Sequence, residues 1–108
     1  KEGFLDDERF LRSFVGGKLR INHWGKIRIR YELRCRNIPA NLIESALNEI
    51  DPETYRDIIK LLVVKKRKEI MGRKAQDSRQ KILNFVVGKG FEFEEVRQVM
   101  TDIEMAED

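Results

Sequence analysis

The sequence predicts an all-α fold made of two tandem three-helix repeats, about six helices in a curved, extended array. Three observations carry that expectation. The chain repeats itself without a gap at an offset of 53 residues, so that residues 28–50 lie over residues 81–103. Ile29 falls on Ile82, Leu33 on Val86, Ile38 on Phe91, Ile43 on Val96, Leu47 on Met100 and Ile50 on Ile103. The apolar positions hold while most polar identities are lost, as expected when burial constrains one set and solvent leaves the other free. Next, apolar residues recur at helical spacing throughout, and no segment alternates with period two. Finally, 41% of the residues are hydrophobic and 38% charged, and the chain has two prolines and seven glycines. That is the composition of a folded, helix-rich chain. The predicted units are residues 1–50, residues 51–105 and an acidic tail, 106–108.

The first helix spans about Leu5–Leu19, with Leu5, Phe10, Leu11, Phe14 and Val15 on or near one face. Upstream, the offset of 53 puts Leu5 on Ile58, Phe10 on Val63 and Leu11 on Val64. Gly16-Gly17 lies inside this helix at about 1 kcal/mol per glycine relative to alanine, which predicts a bend or an early end. Asn22 is the expected cap of the second helix, about Trp24–Arg36. Its inner stripe is Ile29 and Leu33, with Trp24 or Ile27 at an edge. Asn37 takes the helix-ending position, where it tolerates a left-handed backbone. Pro39 opens the third helix, about Pro39–Glu49, with Leu42, Ile43, Ala46, Leu47 and Ile50 inward.

Asp51 and Pro52 cap and open the fourth helix, which runs to about Met71 and ends at Gly72. Ile58, Leu61 and Leu62 share its expected inner face. The fifth helix, about Asp77–Val87, turns Ile82, Phe85 and Val86 inward. Lys89-Gly90-Phe91 is a turn in which Gly90 supplies a positive φ and Phe91 tucks into the core. The sixth helix, about Glu92–Glu104, has Val96, Val99, Met100 and Ile103 inward, and its first-turn acids Glu92, Glu94 and Glu95 complement the helix dipole. Residues beyond about Ile103 are expected to fray. Lys1 corresponds by the offset to Thr54, so the first unit lacks a counterpart of the Asp51-Pro52 start. The offset thus predicts a first helix truncated at its N-terminus and more chain before Lys1.

Charge is distributed unevenly along a chain of formal net charge +3. Residues 12–36 hold eight Lys/Arg against Glu32, and residues 60–81 hold nine against Glu69 and Asp77. Residues 92–108 hold seven acids against Arg97. A basic body suggests a polyanion or an acidic protein surface as partner, the alternative being an ordinary solvated surface. No apolar run approaches the roughly 20 residues that span a membrane. The single Cys35 excludes an internal disulfide and fits a reducing cytoplasm.

Residue chemistry argues against catalysis. His23 is the one histidine and Cys35 the one cysteine, which leaves no His/Cys metal cluster. Neither Ser13, Ser45 nor Ser78 stands in a nucleophile-elbow context. Glycine-rich phosphate loops are missing as well. No catalytic residue, metal or cofactor is expected.

Two basic segments carry the candidate binding residues. In the run from Arg28 to Arg36, Arg30 and Arg34 are i,i+4 neighbours with no evident acidic partner. They read as an arginine face for phosphates or carboxylates. Arg28, Glu32 and Arg36 form a second row, in which Glu32 pairing with both arginines is the favoured reading. Lys65, Lys66, Arg67 and Lys68 suit the C-terminal end of a helix, or a nucleic-acid backbone. Four consecutive helical residues point all round the axis, so they cannot all meet one partner. Trp24 is expected to pack, with base stacking as the alternative.

Trp24-Gly25, Arg28-Ile29, Glu32-Leu33, Asn37-Ile38, Ile43 and Ala46-Leu47 resemble the middle repeat of RecX-family regulators of the RecA recombinase. Asp6-Asp7-Glu8-Arg9-Phe10 resembles the start of that repeat. Lys81-Ile82, Phe85, Lys89-Gly90-Phe91, Val96 and Val99-Met100 are similar to the family's last repeat. His23, Lys26 and Asn37 stand where the family often has Gly, Pro and Gly. The resemblance implies a third repeat before Lys1. It also implies a non-enzymatic bacterial cytoplasmic regulator that binds the RecA–single-stranded DNA filament and inhibits ATP hydrolysis and strand exchange. The partners so implied are the RecA filament and single-stranded DNA, reached directly or through the filament. No membrane is involved, and the protein is expected to be a monomer. A stand-alone helical DNA-binding module is the alternative.

Overall fold

The computed structural model describes the backbone of residues 2–70 and 75–107, and the side chains of residues 8–70 and 78–107. It contains α1 (Glu2–Arg20), α2 (Lys26–Cys35), α3 (Ala40–Asn48), α4 (Pro52–Glu69), α5 (Ala75–Gly88) and α6 (Phe93–Ala106). The fold is all-α, with no strand among the described residues. α1, α2 and α3 pack on one another, α4, α5 and α6 do the same, and α1 crosses to α4.

Local signals place most of the helix ends. The Asp51 carboxylate accepts from the Thr54 N–H at 2.9 Å, so it caps α4 one residue ahead of Pro52. Asn37 (φ 64°) and Gly90 (φ 102°) take the left-handed conformation expected of them, at positions related by the 53-residue offset. His23 is also left-handed, at φ 58°. The proposed stop at Gly72 lies outside the described residues.

Other expectations fail for physical reasons. Gly16-Gly17 does not end α1, because Val15 and Leu19 on either side are buried and that burial outweighs the glycine cost. Asn22 is exposed and caps nothing. α2 starts at Lys26 after a Gly25 cap that has no side-chain bond. α6 runs on to Ala106 instead of fraying, because Arg79 holds Glu104 at 2.9 Å and Arg67 pairs with Glu107. In α4 the buried stripe is Tyr55, Ile59, Leu62 and Val63, while Leu61 is exposed. In α5, Leu83 is buried and Phe85 partly exposed.

The buried residues form one cluster running through both trios. From α2 onward the 53-residue offset is also an offset of burial. Ile29 and Ile82, Leu33 and Val86, Ile43 and Val96, and Leu47 and Met100 are buried pairs. The first helices do not follow the same register. Phe10 is 43% exposed and Val63 is 2% exposed, so the ungapped pairing fails there. Burial does not restore a single register there: at an offset of 51 Leu11 meets Leu62 and Leu19 meets Ile70, but the buried Val15 meets Lys66. Leu5 lies outside the described side chains.

A tight seam joins the trios where the start of α2 meets the α5–α6 turn. The Gly25 N–H donates to the Lys89 carbonyl at 2.9 Å and the Ile27 N–H to the Gly90 carbonyl at 3.0 Å. Between them the Lys26 N–H donates to the Tyr55 hydroxyl at 2.9 Å, and that hydroxyl donates to the Glu92 carboxylate at 2.6 Å. These are the amides that a helix start leaves without partners. Distant chain satisfies them here, which is why no side-chain cap is needed.

Candidate functional site

The basic residues divide according to what holds them. One group is held by carboxylates. Arg30 on α2 makes a two-pronged contact with Glu44 on α3, at 2.6 Å and 3.2 Å. This bond raises the Arg30 pKa and holds Glu44 below its ordinary value. Arg30 thus has the acidic partner that helix spacing did not reveal, because Glu44 comes from the next helix. Arg67 pairs with Glu107, Arg12 with Glu49 at 3.0 Å and Arg79 with Glu104 at 2.9 Å.

The second group is held by aromatic rings. The Arg28 guanidinium lies 4.3 Å from the Trp24 ring centre and Lys18 Nζ lies 4.8 Å from it. Lys18 Nζ is also 5.4 Å from the Phe14 ring centre, over which Arg36 stands at 5.0 Å. The favoured pairing of Arg28 and Arg36 with Glu32 is absent among the described residues. Rings on α1 and at the start of α2 reach these arginines instead. Trp24 packs, as expected, and against the core.

The two modes differ in consequence. A carboxylate neutralises the cation it holds. An aromatic face orients a cation for about 0.5–1 kcal/mol at an exposed site but leaves its charge intact. Lys18, Arg28 and Arg36 therefore project net positive charge, whereas Arg30 and Arg67 do not. Lys66 belongs to both groups, 3.4 Å from Glu69 and 4.7 Å from the Phe85 ring centre. Arg34, Lys65 and Lys68 are exposed and make no ion pair among the described residues. The Lys65–Lys68 run is split: Lys66 and Arg67 turn toward neighbouring helices, and Lys65 and Lys68 face solvent.

Sequence reading missed Lys18 and Phe14, and it assigned Arg36 to self-pairing. The i,i+4 spacing of Phe14 and Lys18 was the available signal. Their convergence with Trp24 and Arg36 depends on how α1 meets α2. No group of acids, histidines and cysteines suited to a metal occurs among the described residues. No described helix is long and apolar enough to cross a membrane.

Fold and surface define an all-α chain in which cations stack on aromatic rings between α1 and α2. Comparison with known proteins shows what the chain is similar to. Residues 6–47, covering most of α1 through α3, match the model of the RecX second three-helix domain. The regulatory protein RecX of Clostridium botulinum (strain Eklund 17B / Type B) is 31% identical over 103 residues, which cover 92% of this chain and 47% of that protein. The regulatory protein RecX of Vibrio vulnificus (strain CMCP6) is 30% identical, over 94% of this chain and 65% of its own length. That of Prosthecochloris aestuarii is 28% identical, over 92% and 63%. The chain spans about half to two thirds of the length of these relatives. No solved structure matches it significantly. The resemblance to the RecX family thus holds for one domain by its model and for nearly the whole chain by its relatives.

Proposed function

We propose that this chain is a non-enzymatic regulator that binds RecA–single-stranded DNA filaments and inhibits their ATP hydrolysis and strand exchange. In this reading residues 1–50 and 51–105 are two repeated units, the protein is a monomer, and it works in the bacterial cytoplasm. The observation that carries the reading is a set of exposed cations, Arg28, Arg34, Arg36, Lys65 and Lys68, that make no ion pair among the described residues. An extended array with an unneutralised basic face suits a long polyanionic assembly better than a small molecule. The relatives are named regulatory protein RecX, and the resemblance to that family is what supports the RecA filament as that assembly.

Within the basic candidates, Arg28, Arg34, Lys65 and Lys68 are the contacts this reading favours. Arg30 and Arg67 serve the fold. The test is RecA-dependent ATP hydrolysis on single-stranded DNA with increasing amounts of the chain. Inhibition that weakens when Arg28 and Arg34 are reversed to Glu, with helical content unchanged by circular dichroism, is the expected result. No inhibition at excess over filament subunits refutes the proposal for this chain. Tight DNA binding without RecA and no effect on filaments would point instead to a stand-alone DNA-binding module.

A further inference from the structure

The turn that receives the α2 amides occurs twice. Between α5 and α6 the Lys89 N–H donates to the Val86 carbonyl at 3.0 Å and the Gly90 N–H to the Val87 carbonyl at 2.9 Å. Between α2 and α3 the Arg36 N–H donates to the Leu33 carbonyl at 3.1 Å and the Asn37 N–H to the Arg34 carbonyl at 2.9 Å. Each residue of one turn maps onto the other by the 53-residue offset, and Asn37 and Gly90 share a positive φ. One turn is engaged and the other is not. The Lys89 and Gly90 carbonyls accept from Gly25 and Ile27, and Gly90 and Phe91 are buried. The Arg36 and Asn37 carbonyls accept no backbone bond among the described residues, and both residues are exposed. The α2–α3 turn thus turns the same acceptors to solvent. A chain with open acceptor and donor faces mates head to tail with its own copies, and a contact of that kind that does not close into a ring grows into a fibre.

A single atom separates the two turns. A Cβ on Gly90 would lie 2.5 Å from the Arg28 Cβ and 2.8 Å from the Arg28 nitrogen, so the start of α2 fits only against a residue that has none. Asn37 has a Cβ at that place. The donor face is closed at the other end. Gly25, Lys26 and Ile27 fall on Ser78, Arg79 and Gln80. Ser78 carries the Cβ that, on Gly25, would strike the backbone of Gly90 and Phe91. In addition, α5 begins at Ala75, so the Arg79 and Gln80 amides are already bonded to carbonyls four residues back.

We infer that Asn37 and Ser78 close the two ends of this array against a second copy of the chain, and that Gly25 and Gly90 reserve the seam for the joint within it. The specificity is steric. The acceptor carbonyls are the same in both turns, and a clash with the wrong partner decides between them. The inference gives the monomer proposed above a physical cause and needs no recombinase.

The experiment moves the acceptor from one turn to the other. Gly90→Asn closes the α5–α6 turn and releases the start of α2. Asn37→Gly opens the α2–α3 turn to the α2 start of another copy. Both are made in a Gly17→Ala background to offset part of the lost seam, and circular dichroism checks that each variant keeps its helices. In sedimentation velocity over a wide range of concentration, the parent and Gly90→Asn alone should keep the mass of one chain. The double variant should gain mass as concentration rises, and adding Gly25→Ala to it should restore the single-chain mass. A helical double variant that stays at the mass of one chain overturns the inference. So does Gly90→Asn alone associating as strongly as the double variant. If Gly90→Asn costs the helices, refolding from urea at high protein concentration tests the same point, because every α2 start is then free while chains meet. Asn37→Gly alone should yield more oligomer than the parent, and equal yields overturn the inference. Self-association of the parent would remove the monomer proposed above as well, whereas a monomeric double variant removes only the inference drawn here.

Discussion

Gly25→Ala tests the seam between the trios more sharply than any core truncation. Gly25 has φ −81° and ψ 173°, which alanine adopts freely, so no torsional penalty enters. The added Cβ has nowhere to go, because it would fall on the carbonyl group of Gly90 and the nitrogen of Phe91. Those are backbone atoms and cannot swing aside. The start of α2 must therefore lift off the α5–α6 turn. Lifting breaks the bonds from Gly25 to Lys89, from Ile27 to Gly90 and from Lys26 to Tyr55. At about 1 kcal/mol net for each bond, the loss is roughly 3 kcal/mol. A domain of this size has about 5–15 kcal/mol in total, so the effect is large. With a urea m-value of about 1–3 kcal/mol/M, the unfolding midpoint should fall by roughly 1–3 M. Trp24, the single tryptophan and the neighbour of Gly25, reports the transition by fluorescence. Gly17→Ala is the control: an added Cβ meets nothing within 4 Å, and a mid-helix alanine should stabilise by up to about 1 kcal/mol. Opposite signs for the two substitutions are required. A Gly25→Ala midpoint equal to that of the parent would refute the account of the seam.

Further outcomes follow from the core and from the titrating groups. Leu33→Ala, at a fully buried α2 position, should cost about 2–5 kcal/mol in chemical denaturation. Burial first, and then the bond to Glu92, raise the Tyr55 pKa above its ordinary value of 10.0. A raised folded-state pKa gives stability that is complete below pH 10 and is lost as pH climbs above it. Tyr55→Phe should therefore remove part of the alkaline unfolding while lowering stability at neutral pH, as read from unfolding midpoints at a series of pH values. Asp51 has the opposite sign. Its bonds to the Thr54 amide and hydroxyl hold its pKa below 3.8, so its contribution is present above that value and disappears on acidification through the lowered pKa. Asp51→Asn, which keeps an acceptor at any pH, should flatten the acid limb of the melting curve.

The helices, their order and much of the core were legible because these features depend on local spacing. Ile29, Leu33, Ile43, Leu47, Val86, Val96 and Met100 recur at helical intervals, and all are buried as that pattern requires. Asn37 and Gly90 announce left-handed turns because few other residues adopt them cheaply, and both are found with positive φ. Self-similarity at 53 residues located the counterparts of α2 and α3 in α5 and α6. It failed on α1 and α4, where Phe10 is exposed and its partner at that offset, Val63, is buried. The start of α2 was misread for a related reason. A cap search looks for an oxygen within a few residues, and the oxygens that satisfy α2 belong to Tyr55, Lys89 and Gly90.

The sequence by itself determined an all-α chain, a repeated apolar skeleton and a surplus of positive charge. Only the tertiary structure decided which of those charges remain available. Arg30 and Arg28 are two residues apart on one helix, yet Glu44 neutralises the first, while Trp24 holds the second and leaves it charged. Helical periodicity is a property of neighbours in the chain. Whether a guanidinium meets a carboxylate or a ring depends on which helix packs beside it, and that is settled only when the core is formed.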